Sequence, residues 1–359
     1  MSSALSATAT KPSFAAVAAV VVVTSSVAAI LFLHDKRRRR RRSEFDVPLE
    51  ILEDENCPHR REVALAVQLA LAAGANMIRH YDSKGTAYEN IADLDISTKT
   101  NASDLATIID VQNEDYITCA IKDRYPTHSI IGEEASSDVG CIAPLNLDGY
   151  TWIIDPIDGT TNFAAGLPLH CVSIGLCHRG IPVMGVVYSS PTREMYIAVR
   201  DFGAYRNGVR LLGCSGDKAT RTLSNAVVCF ELGYFSEAGD RVDVMMNAIK
   251  RLLEHGVRAT RQLGSGVLDL CYVASGRMDV VYTGLSDEGW KPWDYCAGLV
   301  IALEAGCEMT HLDAKCDDDV IGGPSLLRRG YDFNLYSKSM ICGVNRTLVE
   351  HTRRVVLGH

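Results

Sequence analysis

Residues 152–163 read Trp-Ile-Ile-Asp-Pro-Ile-Asp-Gly-Thr-Thr-Asn-Phe. Trp152, Ile153 and Ile154 are the apolar run of a buried strand, so Asp155 falls at its end. Pro156 has no N–H for a ladder and turns the chain there. The Ile157 carbonyl is thereby free to face outward, and Asp158 follows on the same lip. Gly159 permits close backbone approach, and Thr160-Thr161 bring hydroxyls and amides where a helix can begin, a place that suits phosphate. The two aspartates fit two roles. They can cap a turn and a helix, or, with the carbonyl, offer hard oxygen ligands of the kind Mg²⁺ prefers.

Two further stretches favour the second role. Ile130-Ile131-Gly132-Glu133-Glu134 is another strand that stops at glycine and paired acids, and Lys291-Pro292-Trp293-Asp294 sets an aspartate at the start of a helix. If layered α and β elements bring these ends together, the carboxylates suffice for two to three Mg²⁺ ions. Two such ions ~4 Å apart activate water and stabilise both oxygens of an in-line phosphoryl displacement.

The bulk properties are those of an ordinary globular protein. The 359 residues are 47% hydrophobic and 22% charged, with a net charge of −8. That charge is uneven: residues 1–43 hold eight basic side chains, six of them Arg37 to Arg42, against Asp35 alone, so the rest of the chain carries −15. An acidic body of this kind is a poor nucleic-acid binder and suits cation collection. The 12 cysteines are scattered, without a C-x-x-C pair or zinc spacing, and read as reduced thiols of a cytosol-like compartment. Phe14 to Leu33 is uncharged and long enough to span a bilayer, with its positive charges behind it. The expectation is a single-pass membrane anchor through residues 14–33 with the body facing the cytosol. An organelle-targeting peptide, cleaved to leave a soluble enzyme, is the alternative. Two sequons, Asn101-Ala-Ser103 and Asn345-Arg-Thr347, stay bare on the first reading.

Behind a linker at residues 44–61, the pattern predicts helices over 62–80 and 104–124, then short strands at 129–131, 151–154, 171–177, 183–188 and 195–199, with a hairpin turn at Asn207-Gly208. From about residue 215 the elements alternate: strand 227–230, helices 241–254 and 267–274, strand 280–282, helix 294–305, strand 340–343 and helix 346–356. The expected architecture is a layered α+β (α/β) sandwich over residues 62–359, with a metal- and phosphate-binding half at 62–214 and an α/β half at 215–359.

The three acidic stretches, in this order, resemble the signatures of the inositol monophosphatase family, and the similarity runs from about Glu62 to the C-terminus. The Asp-Gly-Thr-Thr-Asn-Phe form resembles that of the inositol monophosphatase branch. The resemblance implies the sugar-phosphatase fold with alternating α-β-α-β-α layers, Mg²⁺ dependence, lithium inhibition and a homodimer. By the same resemblance, Glu133, Asp155 and the Ile157 carbonyl hold a first metal. Asp155, Asp158 and Asp294 hold a second, and Glu133 a looser third. Gly159 and Thr160 cradle the phosphate, and Thr160 helps Glu133 orient the water. Residues 99–110 are similar to the family's Lys…Asp-Leu-Val-Thr…Asp segment, which implies that Asp110 pairs with the Thr160 hydroxyl and that Lys99 lies near the site, along with Asp104. Glu134 accompanies Glu133.

The alcohol-binding positions depart from the family pattern. A Gly-Ser/Thr-Ala segment that touches the sugar ring is here Gly264-Ser265-Gly266. The ring-binding glutamate is replaced by Asp287 with Glu288 beside it, and Tyr234 stands where serine is frequent. The implied activity is hydrolysis of myo-inositol monophosphate by metal-activated water. A related phosphatase of L-galactose 1-phosphate, histidinol phosphate or fructose 1,6-bisphosphate is the alternative, and an inactive membrane-tethered adaptor a distant one. Peptidase, NTPase and α/β-hydrolase motifs are absent from the sequence.

Overall fold

Two glycines face each other across neighbouring strands, Gly175 opposite Gly185, and the architecture is built around them. A methyl group on Gly175 would meet Cys296 Sγ at 2.4 Å, and one on Gly185 would meet the Ala297 carbonyl oxygen at 2.3 Å. The bare backbone lets a central helix seat directly on a sheet.

The computed structural model describes residues 47–86, 96–99, 105–232, 240–285, 289–312 and 333–359. Residues 14–33, the Arg37 to Arg42 run, Asn101, Asp104, Tyr234, Asp287 and Glu288 lie outside these. The helices are α1 (Leu49–Leu52), α2 (Arg60–Ser83), α3 (Ile108–Arg124), α4 (Glu133–Val139), α5 (Thr160–Ala165), α6 (Asp240–Glu254), α7 (Gly266–Ala274), α8 (Pro292–Glu304) and α9 (Arg346–Leu357). A small ribbon pairs β1 (Ser97–Thr98) with β2 (Leu105–Ala106). The large sheet has seven strands in chain order: β3 (Ser129–Gly132), β4 (Tyr150–Asp158), β5 (Cys171–His178), β6 (Ile181–Ser189), β7 (Glu194–Val199), β8 (Gly203–Arg206) and β9 (Val209–Arg210). All its pairings are antiparallel except β3 with β4. The second sheet orders β11 (Ala259–Arg261), β10 (Val227–Phe230), β12 (Val280–Thr283), β14 (Met340–Gly343) and β13 (Glu308–Thr310).

Helices α2 and α3 cover one face of the large sheet; α7 and α8 fill the space between the sheets; α6 and α9 pack together on the far side. The result is the α-β-α-β-α sandwich expected from the sequence, within one unit spanning Val47–His359. The core continues without a break from Ile153 and Tyr196 of the large sheet, through Leu270 and Val300 of the middle helices, to Val281 and Ile341 of the second sheet.

Two boundaries differ from the sequence pattern, and two short strands are absent from it. The helix expected from residue 104 begins at Ile108. Leu105 and Ala106 instead pair with Thr98 and Ser97, and Thr107 starts the helix by giving both its N–H and its hydroxyl to the Asp110 carboxylate. The strand expected to end before Pro156 runs to Asp158, with the register shifting between Asp155 and Asp158. Proline, lacking an N–H, is accommodated in that irregularity rather than terminating the strand. The short strands β11 and β13 have no alternating pattern long enough to be recognised alone.

Among the described residues, α2 alone is long and apolar enough to cross a membrane. Val63, Ala66, Val67, Ala70 and Met77 line its buried face, which packs on β5 and β6. It is a core helix.

Candidate active site

Strand direction assembles the first part of the site. Because β3 and β4 run parallel with Gly132 opposite Ile154, Glu133 and Asp155 leave the same edge side by side. Asp155 is buried, and one of its oxygens accepts the Ile157 N–H at 3.0 Å. Gly159 follows with φ +84°, and a methyl group there would meet the Leu169 carbonyl oxygen at 2.7 Å and Ser265 Cβ at 3.2 Å. Only glycine accepts both that backbone angle and that closeness. The Thr160 hydroxyl lies 2.9 Å from the Ile157 carbonyl oxygen and 3.1 Å from Asp110 Oδ1. Asp110, fully buried on α3, is held by Thr107 from the other side.

The second part comes from the middle layer. Asp158 accepts the Val267 N–H at 3.0 Å, the Ser265 hydroxyl, and the Cys171 thiol at 3.6 Å. Asp294 sits in the first turn of α8, where it accepts the Lys291 N–H at 2.7 Å. Asp155, Asp158 and Asp294 each present an oxygen within 4.8 Å of the other two. Asn162 ties the loops together by donating to the carbonyls of Leu169 at 2.8 Å and Leu263 at 2.7 Å. Glu231 accepts the N–H groups of Leu263 and Gly264 from behind.

Charge is concentrated and poorly compensated here. Burial, then the charges of Glu133, Asp158 and Asp294, push Asp155 well above the usual carboxylate range. Burial raises Asp158 to about 6 despite its three donors. Burial, with Asp158 and Glu133 adding, raises Asp294 to about 8. Asp110 is pushed by burial to about 6. Lys99 is the cation in contact with this cluster, its Nζ 2.8 Å from Glu133 and 2.7 Å from Glu134. Burial by itself would lower the lysine pKa, and the two glutamates outweigh it and raise it. Glu134 is raised to about 8 by burial and by Glu133, with Lys99 opposing. A buried set of oxygen donors that repel one another in this way fits a hard divalent cation, which removes the repulsion on binding. Glu133, Asp155, the Ile157 carbonyl, Asp158 and Asp294 are the groups available to hold it.

The structure thus brings Lys99, Asp110, Glu133, Glu134, Asp155, Ile157, Asp158, Gly159, Thr160, Ser265, Gly266 and Asp294 into one region. Sequence reading missed Glu114, whose carboxylate accepts the N–H groups of Glu134 and Ala135, each at 2.8 Å. It also missed Asn162 and the support from Glu231. Glu114 did leave a signal. It lies four residues after Asp110 on the face of α3 that buries Ile109, Asn113, Ile117 and Ile121, and acids on an apolar stripe need partners.

Residues 59–354 match the model of the inositol monophosphatase family. An inositol monophosphatase of Mesembryanthemum crystallinum is 42% identical over 204 residues, covering 56% of this chain and 71% of the relative. Inositol monophosphatase 1 of Bos taurus is 34% identical over 266 residues, covering 74% and 86%. Among solved structures, the IMPase of Thermotoga maritima superposes with a TM-score of 0.63 at 27% identity, covering 83% of this chain and 97% of that one. The suhB protein of Bartonella henselae superposes with a TM-score of 0.64 at 25% identity, covering 82% and 98%. With its fold and its acidic strand ends both in place, the chain belongs to the inositol monophosphatase family and is a phosphomonoester hydrolase.

Proposed function

We propose that this protein hydrolyses myo-inositol monophosphate to inositol and phosphate by direct attack of water, without a covalent phosphoenzyme. The observation that carries this reading is the meeting of Asp155 and Asp158 with Asp294, from a distant helix, beside the Gly159-Thr160 turn. Glu133, Asp155, the Ile157 carbonyl, Asp158 and Asp294 would hold Mg²⁺, which would supply charge neutralisation for the phosphoryl oxygens and a more acidic water.

The protein's own groups do the rest. The amides of Gly159 and Thr160 receive phosphoryl oxygens. Thr160, positioned by Asp110 and the Ile157 carbonyl, and Glu133, positioned by Lys99 and the start of α4, orient the water for in-line attack. Ser265 and the Val267 N–H fix Asp158 against rotation. Asp287 and Glu288 are assigned to the alcohol side by the family resemblance.

Phosphate release by the full chain from a panel of monophosphates, with Mg²⁺ and with or without lithium, tests this. Mg²⁺-dependent, lithium-inhibited turnover of inositol 1-phosphate is expected. Turnover of another sugar phosphate alone would overturn the substrate assignment, and a trapped phosphorylated side chain would overturn the mechanism.

The same reading makes the enzyme a homodimer, as the resemblance implies, tethered through residues 14–33 with the body in the cytosol. The apolar run and the Arg37 to Arg42 cluster behind it support the tether. Asn345, whose amide nitrogen donates to Lys218 O at 2.9 Å and Arg221 O at 3.1 Å, accords with a second sequon that carries no glycan. A glycosidase-sensitive shift in mobility would contradict that topology.

A further inference from the structure

Gly266 opens α7 directly after Ser265, whose hydroxyl holds Asp158, and directly before Val267, whose N–H holds the same carboxylate. Ser265 also lies against Gly159, the turn assigned above to the phosphate. A methyl group on Gly266 would meet Trp290 Cε2 and Cζ2 at 2.7 Å and Cη2 at 3.1 Å. The edge of the indole therefore rests on bare backbone one residue from the groups that grip Asp158.

Trp290 is anchored on its other side as well. It stands four residues before Asp294, and its ring packs at 5.4 Å on Tyr295, which packs in turn at 5.1 Å on Phe333. This aromatic column fixes the ring, yet Trp290 is only partly buried. Trp152 and Trp293, the other two tryptophans, are buried at 0% and 2% exposure, and Trp152 Nε1–H is spent on His128. Trp290 Nε1–H has no acceptor among the described residues. A rigid, partly open indole with an unused donor, beside a phosphate cradle, combines an apolar surface with one polar handle, the composition of a small-molecule site.

We propose that Trp290, laid against Gly266, is the wall that receives the alcohol half of the ester, taking the C–H face of a cyclic polyol on its ring and a hydroxyl on Nε1–H. This rests on the phosphatase reading above and adds the residue that receives the polyol ring. Gly266 complements the ring by keeping open the space into which its edge settles. Trp290 is a binding residue and takes no part in proton transfer.

The test measures KM and kcat of the full chain with Mg²⁺ for myo-inositol 1-phosphate and for acyclic glycerol 2-phosphate. Trp290→Leu is expected to raise KM for the inositol ester about tenfold, with kcat little changed and glycerol 2-phosphate nearly unaffected. Trp290→Phe keeps a ring for folding and stacking and removes the donor, so its KM for the inositol ester rises by about 2- to 10-fold. Gly266→Ala, which pushes the ring aside, shifts the ratio of the two substrates in the same direction. Equal losses on both substrates, or no change in Trp290→Phe and Trp290→Leu, would overturn the proposal and leave Trp290 a packing residue. If the wild type prefers a different cyclic polyol phosphate, the inositol assignment fails and the same comparison is made with that ester. A wild type that turns over only acyclic esters overturns the wall itself.

Discussion

Asp155 sits in strong electrostatic conflict with its surroundings. It is 1% exposed, and its carboxyl is raised by burial and then by three acidic neighbours. Asp155→Asn keeps the shape and the acceptor for the Ile157 N–H while deleting a charge that the metal-free fold disfavours. Phosphate release is expected to fall by about 10²- to 10³-fold, while the melting temperature measured in chelator rises. Thermal scans with and without Mg²⁺ check the second half, because the variant should also lose most of the metal-induced stabilisation. Unchanged activity would remove Asp155 from the site. The residue was legible in the sequence because its neighbours on the chain are themselves informative: an apolar run, a proline, a second aspartate and a glycine. Glu114 left a weaker signal, since only its position on a buried helical face distinguishes it from an ordinary helix glutamate.

At the scale of elements, the short helix α4 depends on a helix next to it in space. Its first free N–H groups, those of Glu134 and Ala135, end on Glu114 of α3, a charge-assisted cap supplied from 20 residues away. Gly132 makes this possible, since a methyl group there would lie 2.3 Å from a Glu114 oxygen. Glu114→Gln and Gly132→Ala both disturb the point from which Glu133 projects. Each is expected to raise the Mg²⁺ concentration for half-maximal activity by about 10-fold, within the 10- to 100-fold range typical for groups that orient metal ligands. A metal titration of activity measures it, with an unshifted curve as the contrary outcome. Helix periodicity revealed α3 and strand composition revealed β3, but that one supplies the cap of the helix following the other is a contact, and a contact has no sequence period.

Over the whole molecule, the acidic cluster couples stability to pH and to metal. In the metal-free fold the carboxyl of Asp158 is raised to about 6 and that of Asp294 to about 8, both chiefly by burial. An acid whose folded pKa lies above its unfolded value keeps protons in the fold that it loses on unfolding, so stability falls as pH rises from about 4 through the folded pKa. The melting temperature in chelator is therefore expected to decline from about pH 5 to pH 9, and saturating Mg²⁺ to remove most of that decline. Thermal denaturation across the range, with and without metal, checks the sign. A metal-free protein that becomes more stable toward pH 9 would show that other groups dominate.

The sequence by itself determined the oxygen-donor character of the acidic ends, the alternation of elements and the layered class, because each is written at short range: strands that end in acid, helices that begin at acid, glycines where the backbone must come close. Tertiary structure alone decided that the acids form one site. Glu133 reaches Asp155 because β3 and β4 pair in parallel, and Asp294 reaches both because Gly175 and Gly185 let α8 sit on the sheet. Lys99 and Asp110 arrive from segments that precede both. These are long-range pairings, set by strand register and by how closely a helix can approach, and no local pattern encodes a distance between residues 133, 155 and 294. The same holds for Trp290 on Gly266: the two positions are 24 residues apart in sequence, and only packing shows that one was left bare for the other.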